Sequence, residues 1–257
     1  RFVWLMSALV VLAAGVAAAG LLMAERRLER RIDVGVVPFT LPVDAASLEH
    51  GRYLFSSRGC VVCHGADGGV REFVNNGKGI RMVGPNITPG GVTARYDVAD
   101  WARTVRQGVK PDGRPVFIMP SEDFNQLTDA DLGALVAYTK SLAPLPAQAA
   151  VFELPLPVRA LYGFGVIQDA AEKIDQSRPR SQQVVKAVTP AYGAYVANVC
   201  IGCHGAGLSG GRVPGAPPDW PPTANLTPGE GSAMGRYPSA EAFLAMLKSG
   251  QRPDGSR

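Results

Sequence analysis

The sequence lacks the features that would place it in several common classes. Only four of its 257 residues are cysteines, and all four lie in two short motifs, so none is left for a disulfide framework. Lys and Arg form no dense patch with interleaved aromatic residues, which argues against a nucleic-acid partner. The net charge is only +4 and 46% of residues are apolar, which excludes an intrinsically disordered chain.

Glycine and proline, in contrast, are abundant. The 30 Gly and 21 Pro make up about a fifth of the chain, against a usual share of roughly 12%. So many helix-breaking residues exclude a coiled coil and a bundle of long helices. We therefore expect short helices joined by long loops, held together by something other than a large apolar core.

The N-terminus is the one long apolar run. Residues 2–24 carry no charge over 23 positions, which as a helix would measure about 34 Å at roughly 1.5 Å per residue. That length crosses the hydrocarbon core of a bilayer. We predict a transmembrane anchor over residues 1–24 and a tether over 25–46. A cleaved signal peptide is the alternative: Ala17–Ala19 resembles a cleavage site, but the apolar run is longer than such peptides use.

An internal repeat organises the rest of the chain. Cys60-Val-Val-Cys-His64 recurs 140 residues later as Cys200-Ile-Gly-Cys-His204. Further features recur in the same order around both copies: Gly-x-Tyr, Asn-x-Thr-Pro-Gly, Arg-Tyr, a lone Gly and Pro-Asp-Gly. A duplicated module explains this order better than chance. We predict a first module over 47–143, a linker over 144–188 and a second module over 189–257.

The local patterns within the modules are helical. Asp97 can cap a helix that ends at Gly108, and Ser239 can cap its counterpart, which ends at Gly250. Thr128 begins a further helix with apolar residues at helical spacing, up to Leu142. Little of the sequence is typical of strands. The predicted fold is mainly α, with one N-terminal transmembrane helix and two tandem modules.

The CxxCH pattern carries the chemistry, because it is the attachment signature of c-type haem. Cys60 and Cys63 would form thioethers with one haem, and Cys200 and Cys203 with a second. His64 and His204 would be the proximal iron ligands. A zinc site is the alternative, but it needs four ligands close together rather than two pairs 140 residues apart. A redox-active dithiol would not explain a histidine in both copies. We predict two covalently attached haem c groups.

The sixth iron ligand separates electron transfer from catalysis, because a closed iron site does not admit a substrate. Met119, in Phe117-Ile-Met-Pro120, is predicted to ligate the first iron, and Met82 is the alternative. The repeat places the counterpart of Met119 beyond Arg257. We therefore expect the second module to be incomplete at its C-terminus, with its sixth ligand outside this sequence.

From about Ser47 onward the chain resembles the class I c-type cytochrome family, taken twice. The stretches that carry the resemblance are Gly51-Arg-Tyr-Leu54, Cys60 to Gly65, Asn86-Ile-Thr-Pro89, Met119-Pro-Ser121 and Phe124 to Leu132. More narrowly, it resembles the cytochrome c subunits of membrane-bound periplasmic dehydrogenases. The family implies that the Pro85 carbonyl accepts a hydrogen bond from His64. In the second module only Pro222 offers a comparable proline.

The resemblance implies a membrane-anchored dihaem cytochrome that transfers electrons by an outer-sphere route and is not itself an enzyme. Its implied place is the bacterial inner membrane, single-pass, with both haems on the periplasmic side. The implied partners are dehydrogenase subunits as donor and quinone or a terminal oxidase as acceptor, within a multisubunit complex. A dihaem subunit of a haem–copper oxidase is the alternative function. A dihaem peroxidase is a third hypothesis, against which Met119 argues because peroxide needs an exchangeable iron site.

Overall fold

A computed structural model describes residues 2–176, 184–213 and 219–256. The chain divides into two compact units, Arg1–Val185 and Lys186–Arg257, each of which is described by itself. The prediction of a mainly helical protein is confirmed. The helices of the first unit are α1 (Phe2–Glu29), α2 (Ala45–Ser57), α3 (Cys60–His64), α4 (Val98–Gln107), α5 (Ser121–Phe124), α6 (Asp129–Ser141), α7 (Leu156–Gly163) and α8 (Ala170–Lys173).

Helix α1 is 28 residues long, and its length and apolar composition are sufficient to cross a membrane. An N-terminal signal sequence would meet the same criterion. Most of the helix is exposed, but Gly20 and Ala24 near its C-terminal end are buried. They are covered by α7, which packs directly on this end of α1.

The predicted helix boundaries in the first module are confirmed. Asp97 and Asp100 form a reciprocal capping box at the start of α4, and Gly108 ends that helix in the left-handed conformation, with φ of 66°. Thr128 caps α6 by accepting a hydrogen bond from the backbone N–H of Asp131. These local bonds satisfy backbone groups that a helix end would otherwise leave unpaired.

The core of the first unit lies where α2 crosses α6. Its buried side chains are Phe39, Leu54, Phe55, Trp101, Ala102, Val105, Phe124, Leu127, Leu132, Leu135 and Val136. Gly51 allows the close crossing, because a Cβ at this position would overlap the carbonyl of Ala134 and lie 2.8 Å from Cβ of Tyr138. The backbones of α2 and α6 are in contact at this point, so an added side chain would have to push the two helices apart.

Replacing Gly51 by alanine is expected to destabilise the first unit by about 1–3 kcal/mol, the usual cost of overpacking a close-packed core. The measurement is denaturant unfolding of the holoprotein. Gly193 occupies the matching repeat position, and its Cβ would meet nothing within 4 Å. Gly193→Ala is therefore the matched control and should leave stability unchanged or slightly raised. Equal losses in both variants would contradict the proposed role of the helix crossing.

A small antiparallel sheet, which the sequence did not predict, completes the first unit. Its strands β1 (Arg71–Asn75), β2 (Arg81–Gly84) and β3 (Val151–Glu153) lie in the order β1-β2-β3. Met82 pairs with Val74 on one side and with Phe152 on the other. Strand β3 comes from residues 144–188, the segment predicted as a linker. This segment also supplies α7 and α8, so much of it is part of the first unit.

The segment predicted as a tether also packs on the first unit. Residues 25–29 continue α1, and the chain then runs without helix or strand to α2. The backbone N–H of Ile32 donates to the carbonyl of Gly113 at 2.9 Å. Phe39 is buried in the core cluster, and Thr40 lies close to Gly133 of α6.

The second unit contains α9 (Pro190–Ala197), α10 (Ile201–His204) and α11 (Ala240–Ser249), with 3₁₀ turns at Asn198–Cys200 and Ala233–Arg236. The predicted bounds of its last helix are confirmed: Ser239 caps the start of α11, and Gly250 ends it in the left-handed conformation with φ of 70°. None of the residues in these helices and turns is fully buried within the described part of the chain.

Candidate haem site

The first CxxCH motif folds as the short helix α3. Gly59 precedes it with φ of 80° and Gly65 follows it with φ of 70°, conformations that favour glycine. One turn of helix brings Cys60, Cys63 and His64 to the wall of the same cavity. Local backbone geometry therefore places the three motif side chains together.

The His64 imidazole is buried and oriented by the backbone. Its Nδ1–H donates to the carbonyl of Pro85 at 2.8 Å, which leaves Nε2 with the lone pair that a metal needs. Burial lowers the pKa of His64, and the bond to Pro85 opposes this shift only in part. The ring is therefore neutral at physiological pH, which is the state that binds iron.

The cavity beside α3 has a volume of about 980 Å³. The α3 side chains form part of its wall, and α2, α4, α6, the sheet and the loop around Met119 form most of the rest. Apolar side chains in this wall include Phe55, Phe73, Val83, Ile87, Trp101, Val105, Phe117, Ile118, Met119, Phe124, Leu135, Val136 and Phe152. The end of α1 contributes Ala24, Leu28 and Glu29.

The structure separates the two candidate methionines. Met119 lies in the cavity wall on the loop before α5 and packs against the core cluster. Met82 is buried in β2, and it does not belong to the cavity wall formed by the described residues. Of the two, Met119 alone shares a cavity with His64.

The residues around this cavity fit a haem. The indole Nε1 of Trp101 is buried and has no hydrogen-bond partner among the described residues, although Trp101 belongs to the cavity wall. A buried donor of this kind requires a partner, and a haem propionate would supply an acceptor. Among the described residues no group of three or more His, Cys, Asp or Glu side chains is arranged to hold a metal ion, which argues against a zinc site.

Asn86 stabilises the loop that carries Pro85. Its side chain is fully buried, and its Nδ2 donates to the carbonyls of Leu145 and Pro146 at 2.8 and 2.9 Å. Its Oδ1 accepts from the backbone N–H of Thr88 at 2.8 Å. One amide thus connects the proximal loop to the segment that follows α6. In the sequence Asn86 stands out only as part of the repeated Asn-x-Thr-Pro-Gly pattern.

Replacing Asn86 by aspartate is expected to destabilise the first unit by about 2–4 kcal/mol, because a carboxylate would face two carbonyl oxygens in a buried site. The measurement is the denaturant midpoint of the holoprotein. Asn75→Asp is the control, since Asn75 is exposed and its amide donates only to Glu72 at 3.0 Å. A similar loss from the Asn75 variant would show that the effect is one of added charge.

The second CxxCH motif repeats the proximal geometry. His204 Nδ1–H donates to the carbonyl of Ala224 at 2.8 Å. Ala224 directly precedes Asn225, as Pro85 directly precedes Asn86. From the sequence, Pro222 was expected to be the counterpart of Pro85, because it is also a proline. A carbonyl oxygen is available from any residue, so the position in the turn matters and the side chain does not.

Further local structures recur in the two units. Asn225 Oδ1 accepts from the backbone N–H of Thr227 at 2.8 Å, as Asn86 does from Thr88. Tyr237 and Phe243 form an edge-to-face pair with ring centroids 5.2 Å apart. The matching pair in the first unit, Tyr96 and Trp101, has centroids 5.6 Å apart in the same arrangement. In the second unit Cys203 is exposed and His204 and Cys200 are half-buried.

Comparison with known proteins identifies the class of the first module. Residues 46–138 match the family described as cytochrome c oxidase, cbb3-type, subunit III. Together with the CxxCH motif, the oriented histidine and the apolar cavity, this match shows that this part of the chain is a cytochrome c domain. A domain of this class carries covalently bound haem c.

The chain is also similar to subunits of known dehydrogenases. It is 33% identical over 156 residues to one of the subunits of nicotinate dehydrogenase from Pseudomonas putida, covering 56% of this chain and 13% of that protein. It is 29% identical over 136 residues to the fructose dehydrogenase cytochrome subunit of Gluconobacter japonicus, covering 49% and 27%. It is 25% identical over 236 residues to the cytochrome c subunit of a quinone alcohol dehydrogenase of Gluconobacter oxydans, covering 81% and 48%. The chain thus spans at most about half of these relatives, and they support an electron-transfer role.

Proposed function

We propose that this chain is a membrane-anchored dihaem c-type cytochrome that carries electrons as a subunit of a dehydrogenase complex. The observation that carries the proposal is the first site, where a buried and oriented His64 and Met119 line one apolar cavity beside two cysteines. The second haem is proposed from the repeated motif and from the matching His204–Ala224 hydrogen bond. The similarity to the alcohol dehydrogenase subunit covers 81% of the chain and so extends beyond the first unit.

The protein residues have positioning roles in this mechanism. Cys60 and Cys63 would attach the haem, and the Pro85 carbonyl holds the His64 ring so that Nε2 can bind iron. Met119 would hold the iron together with His64 and so keep small substrates away from the metal. The haem, when bound, supplies the one-electron chemistry. An iron held by both residues inside an apolar wall would suit an outer-sphere carrier rather than a peroxidase.

The cellular arrangement is part of the same proposal. Helix α1 would cross the bacterial inner membrane once, with the two cytochrome units on the periplasmic side. The crossing is supported by the exposed apolar surface of α1 over residues 2–19 and by charged residues that begin at Glu25. It would bring the units close to quinone in the membrane and to the catalytic subunit of a dehydrogenase.

The proposal is tested by counting haems and identifying partners. The absorbance of the covalently bound haem, measured against protein concentration, should correspond to two haems per purified chain. Gentle solubilisation of the native membrane, followed by mass spectrometry, should recover a flavin, quinoprotein or molybdenum dehydrogenase subunit with the chain. One haem per chain would overturn the dihaem proposal.

A specific observation favours one alternative function. The match of residues 46–138 is to a family described from an oxidase subunit. A copper-binding membrane subunit recovered with the chain, in place of a dehydrogenase subunit, would therefore assign it to a haem–copper oxidase.

A further inference from the structure

The exposed side of α7 is apolar. Leu156, Leu161 and Phe164 are 60%, 43% and 44% exposed, and Val166 in the following turn is 70% exposed. Pro157, Leu161 and Phe164 follow the spacing of one helix face. Arg159 is the only charged residue from Leu156 to Val166, and its guanidinium forms an ion pair with Glu25. A soluble surface would not normally present such a cluster of large apolar side chains.

The adjoining side of α7 packs tightly on α1, and Phe164, 44% exposed, lies where the two sides meet. A Cβ at Gly163 would overlap the carbonyl of Gly20, and a Cβ at Gly20 would lie 2.7 Å from the Phe164 ring and 2.9 Å from Cβ of Ala160. Two glycines thus bring the two helix backbones into contact. The position of α7 along α1 is therefore fixed by packing.

Ion pairs beside the interface between α1 and α7 also hold the two helices together. Arg27 pairs with Glu172 at 2.5 Å, and Arg30 pairs with the fully buried Asp169 at 2.7 Å. The Tyr162 hydroxyl donates to Asp169 at 2.8 Å. These bonds connect the charged end of α1 to the segment after α7, so α7 cannot turn independently of α1.

The contact between α7 and α1 lies close to the end of the uncharged run of α1. Gly20 lies four residues before Ala24, where the uncharged run ends. Four residues of helix correspond to about 6 Å. Helices that lie in a membrane interface bury their apolar face about 5–10 Å into the boundary between headgroups and acyl chains. The contact is therefore at the level where a membrane crossed by α1 would have its interface.

We propose that the exposed apolar face of α7, formed by Pro157, Leu161 and Phe164 together with Val166 in the following turn, is a lipid-contact surface that lies in the interface of the membrane. The occupant of this face is the bilayer itself, because the face continues the exposed apolar surface of α1 at the end of its uncharged run. The inference rests on the proposed membrane anchoring of α1. It adds a second contact with the bilayer, made by the segment between the two cytochrome motifs.

The test is a spin-label accessibility experiment on the holoprotein in phosphatidylcholine vesicles. Single cysteines at Leu161→Cys and Val166→Cys carry a nitroxide, and accessibility to oxygen is compared with accessibility to a water-soluble nickel chelate. Val11→Cys, 71% exposed in the middle of α1, reports on the anchor. Val43→Cys, 91% exposed before α2, is the aqueous control in the same unit.

The expected oxygen-to-nickel ratio at Leu161 and Val166 is several-fold higher than at Val43 and lower than at Val11. Water-like ratios at Leu161 and Val166 with a lipid-like ratio at Val11 would overturn the inference and leave the anchor intact. A water-like ratio at Val11 would instead overturn the anchoring on which it rests. Labels at α7 that become shielded only when a second protein subunit is added would assign the face to that subunit and also overturn the inference.

Discussion

Replacing Met119 by leucine is expected to lower the midpoint potential of the first haem by on the order of 100 mV or more, within the range of about 0.8 V over which axial ligands tune haem. The thioether sulfur favours the reduced iron, and leucine offers no ligand. The sulfur-to-iron absorption band of the oxidised protein should disappear. Leucine and methionine have similar volumes, so the change in packing alone should cost less than about 1.5 kcal/mol.

Met82→Leu is the matched control for this experiment. Met82 is buried in β2 away from the wall that contains His64 and Met119. Its replacement should leave the potential and the band unchanged, with a similarly small effect on stability. If the band is lost in the Met82 variant and kept in the Met119 variant, the ligand assignment is wrong. Redox titration with optical detection measures both quantities in one experiment.

Removing both first-motif cysteines, Cys60→Ser and Cys63→Ser, is expected to halve the haem content and unfold the first unit. The reason is the cavity of about 980 Å³ between its helices. Without a haem the apolar lining, which includes Phe55, Trp101 and Leu135, would face water and lose the burial that stabilises the unit. The whole stability of a typical domain is only about 5–15 kcal/mol, so this loss is expected to unfold the unit. The haem is therefore expected to act as the core of this unit.

The corresponding double variant Cys200→Ser and Cys203→Ser is the comparison. It should also halve the haem content, but the first unit should keep its helices and its resistance to proteolysis. Limited proteolysis with mass spectrometry locates the unfolded region in each variant. A first unit that stays protected after losing its haem would show that the protein side chains alone can fill or tolerate the cavity.

The parts of the fold that local sequence specified were predicted well. Asp97, Thr128 and Ser239 begin helices because each side chain accepts a bond from a backbone N–H within the next three residues. Gly108 and Gly250 end helices because left-handed backbone favours glycine. Such signals depend only on neighbours in the chain, and a single sequence contains them in full.

The parts that depend on distant partners were not predicted. Strand β2 is only four residues long and has no alternating pattern, and its partner β3 comes from a segment about 70 residues later. The helix α7 lies in the segment predicted as a linker, and it was not predicted because its packing depends on Gly20 of α1. The carbonyl of Ala224 was missed for a similar reason, since backbone acceptors leave no mark in residue type.

Because α1 forms part of the wall of the first cavity, its position affects how this site docks to a redox partner. Ala24, Leu28 and Glu29 border the same space as His64, and Arg30 is bound to Asp169, so α1 and the cavity belong to one packed unit. Whatever immobilises α1 also sets the direction in which that cavity faces. Once α1 is held in place, the site has a fixed orientation before it meets a redox partner. Orientational freedom therefore need not be lost again at each collision. Docking to that partner would carry a smaller entropic cost than docking of a domain on a flexible linker.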